Sequence, residues 1–270
     1  MGPVTRTMAV INVTPDSFSD GGKFLDPHQA VDRCLELAAK GADILDIGGE
    51  STRPGVSPVS AAQESDRILP VLEGIRDRTS CLVSVDTYKS QVARAALDAG
   101  AHIVNNVGAL QLDPGVAEVA GKAGAAIVLM HMRGIPRTMQ TLPPSRDILK
   151  EIEQSLARAV DLAVSRGIAR DRIVVDPGIG FGKTLEDNLK ILNRLPRLRR
   201  LRLPILVGTS RKSFLGKILD IPVQERLLAT AASVVMAVVG GAHIVRVHDL
   251  DDMVHALRIA DSILGERRIC

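Results

Sequence analysis

Short, largely apolar runs recur along the chain at Met8–Val13, Ile44–Ile47, Leu82–Val85, Ile103–Val107, Ala126–Met130, Ile173–Val175, Ile205–Val207 and Ile244–Val247. Each has the length of a strand, and runs of this kind are what a parallel sheet covered on both faces requires. Between them apolar residues fall at helical spacing, as in Ala30, Leu37 and Ala38, or Val92, Ala95, Ala96 and Leu97. Gly41, Gly100, Gly124 and Gly241, each followed by Ala, stand where those helices should end. Glycine tolerates the left-handed conformation that closes a helix. Eight strand–helix units predict right-handed crossovers and a closed (β/α)₈ TIM barrel, one domain over residues 1–270.

The polar exceptions cluster at one end of the predicted strands: Asn12, Asp46, Asp86, Asn105, His131, Asp176, Lys212, Arg246 and His248. Buried without partners, such groups would cost on the order of several kcal/mol each, so a ligand is the better reason to keep them there. Active sites of this fold lie at the C-terminal ends of the strands. The clearest case is Leu203–Gly216, where the run Ile205–Val207 stops at Gly208 and gives way to Thr209-Ser-Arg-Lys-Ser213. On the same side are long segments rich in turn formers: Thr14–Lys23, Gly48–Gly55 and Arg133–Pro144. Long loops gathered on one face suit lids better than connectors.

Composition narrows the chemistry. Among 270 residues there are one Tyr, four Phe and no Trp, so the core must be aliphatic and little is available for base stacking. The formal charge of +3 hints at small anionic substrates and is too weak an excess for nucleic acid. Cys34, Cys81 and Cys270 show no CxxC spacing, which fits a reducing cytosol. No apolar stretch is long enough to span a bilayer, and Met1–Arg6 carries no signal-like apolar segment. The expectation is a cytoplasmic protein.

Two nucleotide-like motifs fail on inspection. In Asp176-Pro-Gly-Ile-Gly-Phe-Gly-Lys-Thr184, Pro177 occupies the place of the first phosphate-loop glycine and Asp176 would repel a phosphate. The basic run Pro196–Arg202 precedes a strand, on the face away from the site, and is expected to be a solvated loop. The six His show no zinc spacing.

The strand-end groups sort into two halves. Asp86, Asn105 and Asp176 offer fixed acceptors and donors suited to a flat heterocycle rich in N–H groups. Asn12, Arg246 and His248, on runs that neighbour each other in a closed barrel, suit a diphosphate with Mg²⁺. Lys212 stands between the halves.

Five segments together resemble one family: Asn12–Gly22, Gly48–Gly55, Ser84–Thr87, Asp176–Gly182 and Ser210–Ser213. In order and over nearly the whole chain, they are similar to dihydropteroate synthase. The resemblance implies a (β/α)₈ barrel, a homodimer, and a transferase joining 7,8-dihydropterin-6-ylmethyl diphosphate to 4-aminobenzoate with loss of diphosphate. It implies that Asp86, Asn105, Asp176 and Lys212 hold the pterin, with Met130 and Phe181 lining its pocket. Asn12 would ligate Mg²⁺, while Thr52, Arg246 and His248 grip the diphosphate. Phe18, Asp20, Arg53, Pro54 and Ser213 would form the aminobenzoate pocket, open to competing sulfonamides. Asp86, Lys212, Arg246 and His248 are the implied catalytic set. The family commonly has Asn-Asp where this chain has Asn105-Asn106, which touches only the surroundings of the site. Two other readings share parts of the pattern: a methyltetrahydrofolate–corrinoid methyltransferase, which has no use for Arg246 and His248, and a pterin-binding paralogue without activity.

Overall fold

Because each apolar run lacks a polar face, it must be covered on both sides, and the eight runs satisfy one another by pairing into a single parallel sheet. The structure, a computed structural model, describes residues 4–14, 26–51 and 56–266. Strands β1 (Arg6–Asn12), β2 (Ile44–Gly48), β3 (Leu82–Asp86) and β4 (Ile103–Val107) alternate with helices α1 (Pro27–Ala39), α2 (Ala61–Ile75), α3 (Ser90–Asp98) and α4 (Gly115–Ala123). Then come β5 (Ala126–Met130), α5 (Ile148–Ser165), β6 (Ile173–Asp176), α6 (Leu185–Asn193) and β7 (Leu206–Val207). The described chain ends with α7 (Ser213–Leu219), α8 (Leu227–Val239), β8 (Ile244–Val247) and α9 (Leu250–Glu266).

The strand order is β6-β5-β4-β3-β2-β1-β8-β7. A bridge between Val175 and Ile205 joins β6 to the start of β7 and closes the circle into the expected (β/α)₈ barrel. That seam is short because Pro204 has no N–H to donate; its carbonyl instead accepts from Val175 N.

The expected terminators all hold: Gly41, Gly100, Gly124 and Gly241 have φ of 93°, 105°, 61° and 100°. Two expectations change. The β7–β8 connection carries two helices, the short α7 before α8, rather than one. The run around Pro196–Arg202 is no solvated loop but a tight 3₁₀ helix over Leu195–Leu201, because Leu195 and Leu198 fall three apart and are both buried.

Two apolar layers support the site. Outside the barrel, residues such as Leu45, Ile47, Val85, Ile127 and Leu129 pack against the helices. Inside, Met8, Ile44, Ile103, Val128, Leu206 and Ile244 form a separate plug. Side chains two residues apart on a strand share a face. One step beyond that plug, therefore, Ile44 is followed by Asp46, Ile103 by Asn105 and Ile244 by Arg246, all inside the barrel. The interior is thus apolar at one end and charged at the other. Among the described residues no helix is long and apolar enough to cross a membrane.

Candidate active site

The charged end of the barrel is organised around one guanidinium. Arg246 donates Nε–H to Asp46 Oδ2 at 2.6 Å and Nη2–H to Asp86 Oδ2 at 2.7 Å. Asn105 donates its amide to the same Asp46 oxygen at 3.0 Å. Register puts Asn12, Gly48, Asp86 and Asn105 level on four neighbouring strands. Gly48 lies between two of them: a Cβ built on it would stand 3.5 Å from Asp86 Cβ and 3.8 Å from Asn12 Oδ1.

Two carboxylates share one cation, so the group is short of positive charge. Burial pushes the Asp86 carboxyl up to about 7 even though Arg246 pulls the other way. Arg246 loses solvation too, yet Asp46 and Asp86 together hold it firmly protonated. Asp46 Oδ1 and Asp86 Oδ1 are buried and accept no hydrogen bond from the described residues. Buried acceptors are almost always satisfied, so atoms left over at the floor of a barrel are prepared for something else.

A second cation closes the other side. Lys212 donates from Nζ to the Ile179 carbonyl and lies 4.9 Å over the Phe181 ring. Burial pushes its ammonium down to about 8, and Asp176 opposes that shift. Gly208 lies between the two cations: a Cβ built on it would stand 3.8 Å from Lys212 Nζ and 3.6 Å from Arg246 Cβ. Asp176 accepts from Gly178 N at 2.7 Å, and burial raises its carboxyl. Met130 and Phe181, with Val107, Met132, Met139 and Leu112, make an apolar wall beside these groups.

The rim holds His248, whose backbone N and Nδ1 both meet Ser210 Oγ, at 3.2 and 3.0 Å. Arg211, next to Lys212, turns away: its φ of 56° sends the guanidinium to Asp249 at 2.8 Å. Adjacent cations therefore serve different ends. Ser213 is exposed at the start of α7. Phe18, Asp20, Thr52, Arg53 and Pro54 lie outside the described residues.

Several residues escaped the sequence reading. Asp46 was visible as a strand-end carboxylate, but nothing in the sequence gave it a partner. The buried Lys183 donates to the carbonyls of His131 and Phe181, both at 3.1 Å, and lies 3.0 Å from His131 Nδ1. It ties the glycine loop to β5 and faces no phosphate. Burial pushes Lys183 down to about 7 and His131 to about 2, leaving the imidazole neutral. Beyond β2, Lys89 is held by Glu50 and Glu64, and Tyr88 donates to Glu50 at 2.8 Å. Asn106 faces away from the barrel interior, taking Leu110 N–H at 2.7 Å and donating to Thr87 O at 3.3 Å.

A family model described as "Pterin binding enzyme" matches residues 8–248. A dihydropteroate synthase of Synechocystis is 45% identical over 263 residues, covering 97% of this chain and 91% of its own length. The chain belongs to the dihydropteroate synthases. Their structures superpose on it closely. The Yersinia pestis dihydropteroate synthase, solved with a sulfonamide drug complex, is 41% identical with a TM-score of 0.94, covering 98% of this chain and 96% of its own. The Xanthomonas albilineans dihydropteroate synthase in complex with 7,8-dihydropteroate is 37% identical with a TM-score of 0.87, covering 98% and 95%. A dihydropteroate synthase is a transferase of folate biosynthesis, which sets aside the methyltransferase reading.

Proposed function

We propose that the charged floor holds the pterin of 7,8-dihydropterin-6-ylmethyl diphosphate while the rim takes its diphosphate, so that 4-aminobenzoate displaces diphosphate to give 7,8-dihydropteroate. The observation that carries this is the pair of unpartnered oxygens beside Arg246, at Asp46 and Asp86. A pterin brings several N–H donors in one plane, and the floor offers acceptors at Asp86, Asn105 and Asp176. Lys212 and the Phe181 and Met130 wall would hold the ring's oxygen and its flat face.

The roles follow from charge. When the C–O bond to diphosphate weakens, positive charge grows on the methylene carbon and spreads into the ring. Asp86 as a carboxylate stabilises that charge, and Lys212 keeps the ring in place. Arg246 and His248 balance the departing diphosphate. The arylamine nitrogen then attacks the carbon with its lone pair, and its proton, made acidic by bond formation, leaves to solvent. Asn12 suits Mg²⁺: it supplies one neutral oxygen, and this ion usually takes few protein ligands beside substrate phosphates. Bound there, Mg²⁺ would neutralise the diphosphate. Thr52 would share that task, and Phe18, Asp20, Arg53, Pro54 and Ser213 would receive the aminobenzoate, or a sulfonamide in its place.

Homodimerisation and a cytoplasmic location belong to the same proposal. Leu228, Met236 and Val239 on α8, with Ile259 and Ile263 on α9, leave large apolar side chains exposed, which a second copy could cover.

The reaction is tested by following diphosphate release with and without 4-aminobenzoate. Release that needs both substrates is expected; no release with both present leaves only a pterin-binding paralogue.

A further inference from the structure

Asn105 donates its amide to Asp46 Oδ2, and no described residue donates to its carbonyl oxygen. The orientation is forced by chemistry. Asp46 is fully buried, and as a carboxylate it only accepts, so an amide oxygen turned toward it would set two acceptors against each other. The same Asp46 oxygen fixes the Nε edge of Arg246 and so leaves Nη2 for Asp86. One carboxylate, contributed from β2, therefore controls a side chain from β4 and another from β8.

We propose that Asp46 is a positioning residue that sets the polarity of the pterin site: it turns the Asn105 carbonyl, rather than the NH₂, toward the ligand. This inference rests on the reading of Asn105 as a pterin contact. An Asn beside a neutral neighbour can flip and offer either group, so on its own it discriminates poorly between a ring N–H and a ring nitrogen. With Asp46 beneath it, Asn105 is an acceptor only, and a ring presenting N–H at that edge is preferred over one presenting a lone pair. Whatever its second oxygen meets, Asp46 thus acts through Asn105 and Arg246 by way of the first.

The variants that test this keep or remove the shared acceptor. One Asp46 oxygen takes both Arg246 Nε–H and the Asn105 NH₂, so Asp46→Asn can keep an amide oxygen at that place, whereas Asp46→Leu leaves nothing to hold the Asn105 amide. Calorimetry with 6-hydroxymethyl-7,8-dihydropterin should show Asp46→Leu weakened by roughly 10–100-fold, as expected when a buried polar group loses its partner, with Asp46→Asn recovering most of that affinity. Wild-type affinity in Asp46→Leu, or an equal loss in Asp46→Asn, overturns the inference. Asn105→Ala separates the two claims. If it binds the pterin as well as wild type, the pterin assignment fails and this inference with it. If it binds poorly while Asp46→Leu binds normally, only this inference fails. Should the variants not fold, NMR of the unaltered protein decides: the Asn105 side-chain NH₂ resonances should keep their shifts and slow exchange when the pterin is added. A large shift of those resonances overturns the inference.

Discussion

Two triads of the same charge pattern sit on neighbouring parts of the barrel: Asp46–Arg246–Asp86 inside it and Glu50–Lys89–Glu64 beyond β2. Each sets one cation between two carboxylates and is short of positive charge. They differ in what is left over. Around Lys89, Glu50 also accepts from Tyr88 at 2.8 Å and from Val59 N at 3.2 Å, and neither glutamate has a buried oxygen without a partner among the described residues. Around Arg246, each aspartate keeps one such oxygen. The contrast teaches that charge and burial alone do not mark a functional site. What separates these two triads is the unfinished hydrogen bonding at the strand ends.

The comparison breaks if the two triads respond alike to mutation. Lys89→Met leaves Glu50 and Glu64 buried together without their cation, and removing one member of a buried pair costs about 3 kcal/mol or more. Denaturant unfolding should show that loss, while pterin affinity stays within about threefold of wild type. Asp86→Asn should do the reverse. Turnover should fall roughly 10²-fold, with a smaller loss of pterin affinity, because the amide cannot stabilise the developing cation. At pH about 4 or below, where Asp86 is protonated in the wild type as well, its stability should change by about 1 kcal/mol or less, since Arg246 keeps Asp46. A large stability loss in Asp86→Asn with normal turnover would make the inner triad structural as well.

Proton binding sharpens the contrast. Asp86, held up to about 7 by burial against Arg246, must lose its proton to act, and Lys212, pushed down to about 8 by burial against Asp176, must keep its own. The kcat/KM for the pterin substrate should therefore rise with pH to about 7 and fall above about 8, each limb approaching tenfold per unit. Asp86→Asn should lose the acid limb. The stability effect has the opposite sign to a carboxylate held by a salt bridge. A raised carboxyl holds its proton more tightly when folded, so this group costs stability as pH climbs from about 4 to about 7. The difference in unfolding free energy between wild type and Asp86→Asn should move in that direction across the window.

The strands and helix ends were legible because they are local: an apolar run or a glycine after a helical pattern carries its meaning within a few residues. The site was legible as a set of strand-end groups, and the family motifs gave them roles. What could not be read were pairings. Arg246 and Asp46 lie 200 residues apart, and nothing in Ile44-Leu-Asp46 says which cation will arrive. Arg211 and Lys212 look equivalent in sequence, but a left-handed φ at Arg211 sends one outward. The phosphate-loop reading of the motif around Lys183 fails on Pro177 and Asp176 in the sequence, but only the fold shows the lysine bent back beneath its own loop. The 3₁₀ turn at Leu195–Leu201 was masked by its arginines, because two buried leucines among many charges resemble a solvated stretch.

The finest form of the comparison lies within one strand, where Asn105 and Asn106 point to opposite faces of β4. Asn106 is satisfied at both ends, by Leu110 N–H at its oxygen and by Thr87 O at its nitrogen, whereas among the described residues the Asn105 side chain makes one bond, from its NH₂ to Asp46. By the argument from the triads, Asn106 is structural and Asn105 functional, though the residue types are identical and both are buried. Asn106→Asp should then be the mildest change. It keeps the shorter bond from Leu110 and loses only the longer one to Thr87, a neutral contact worth about 1 kcal/mol. The new carboxyl is buried at 1% exposure, so it should titrate upward, and the loss should grow as pH rises. Thermal unfolding at two pH values should show a drop of a few degrees, larger at the higher pH, with kcat and pterin affinity unchanged. A loss of pterin affinity as large as that of Asn105→Ala would mean that the two faces of β4 are coupled, and hydrogen-bond satisfaction would no longer separate support from site.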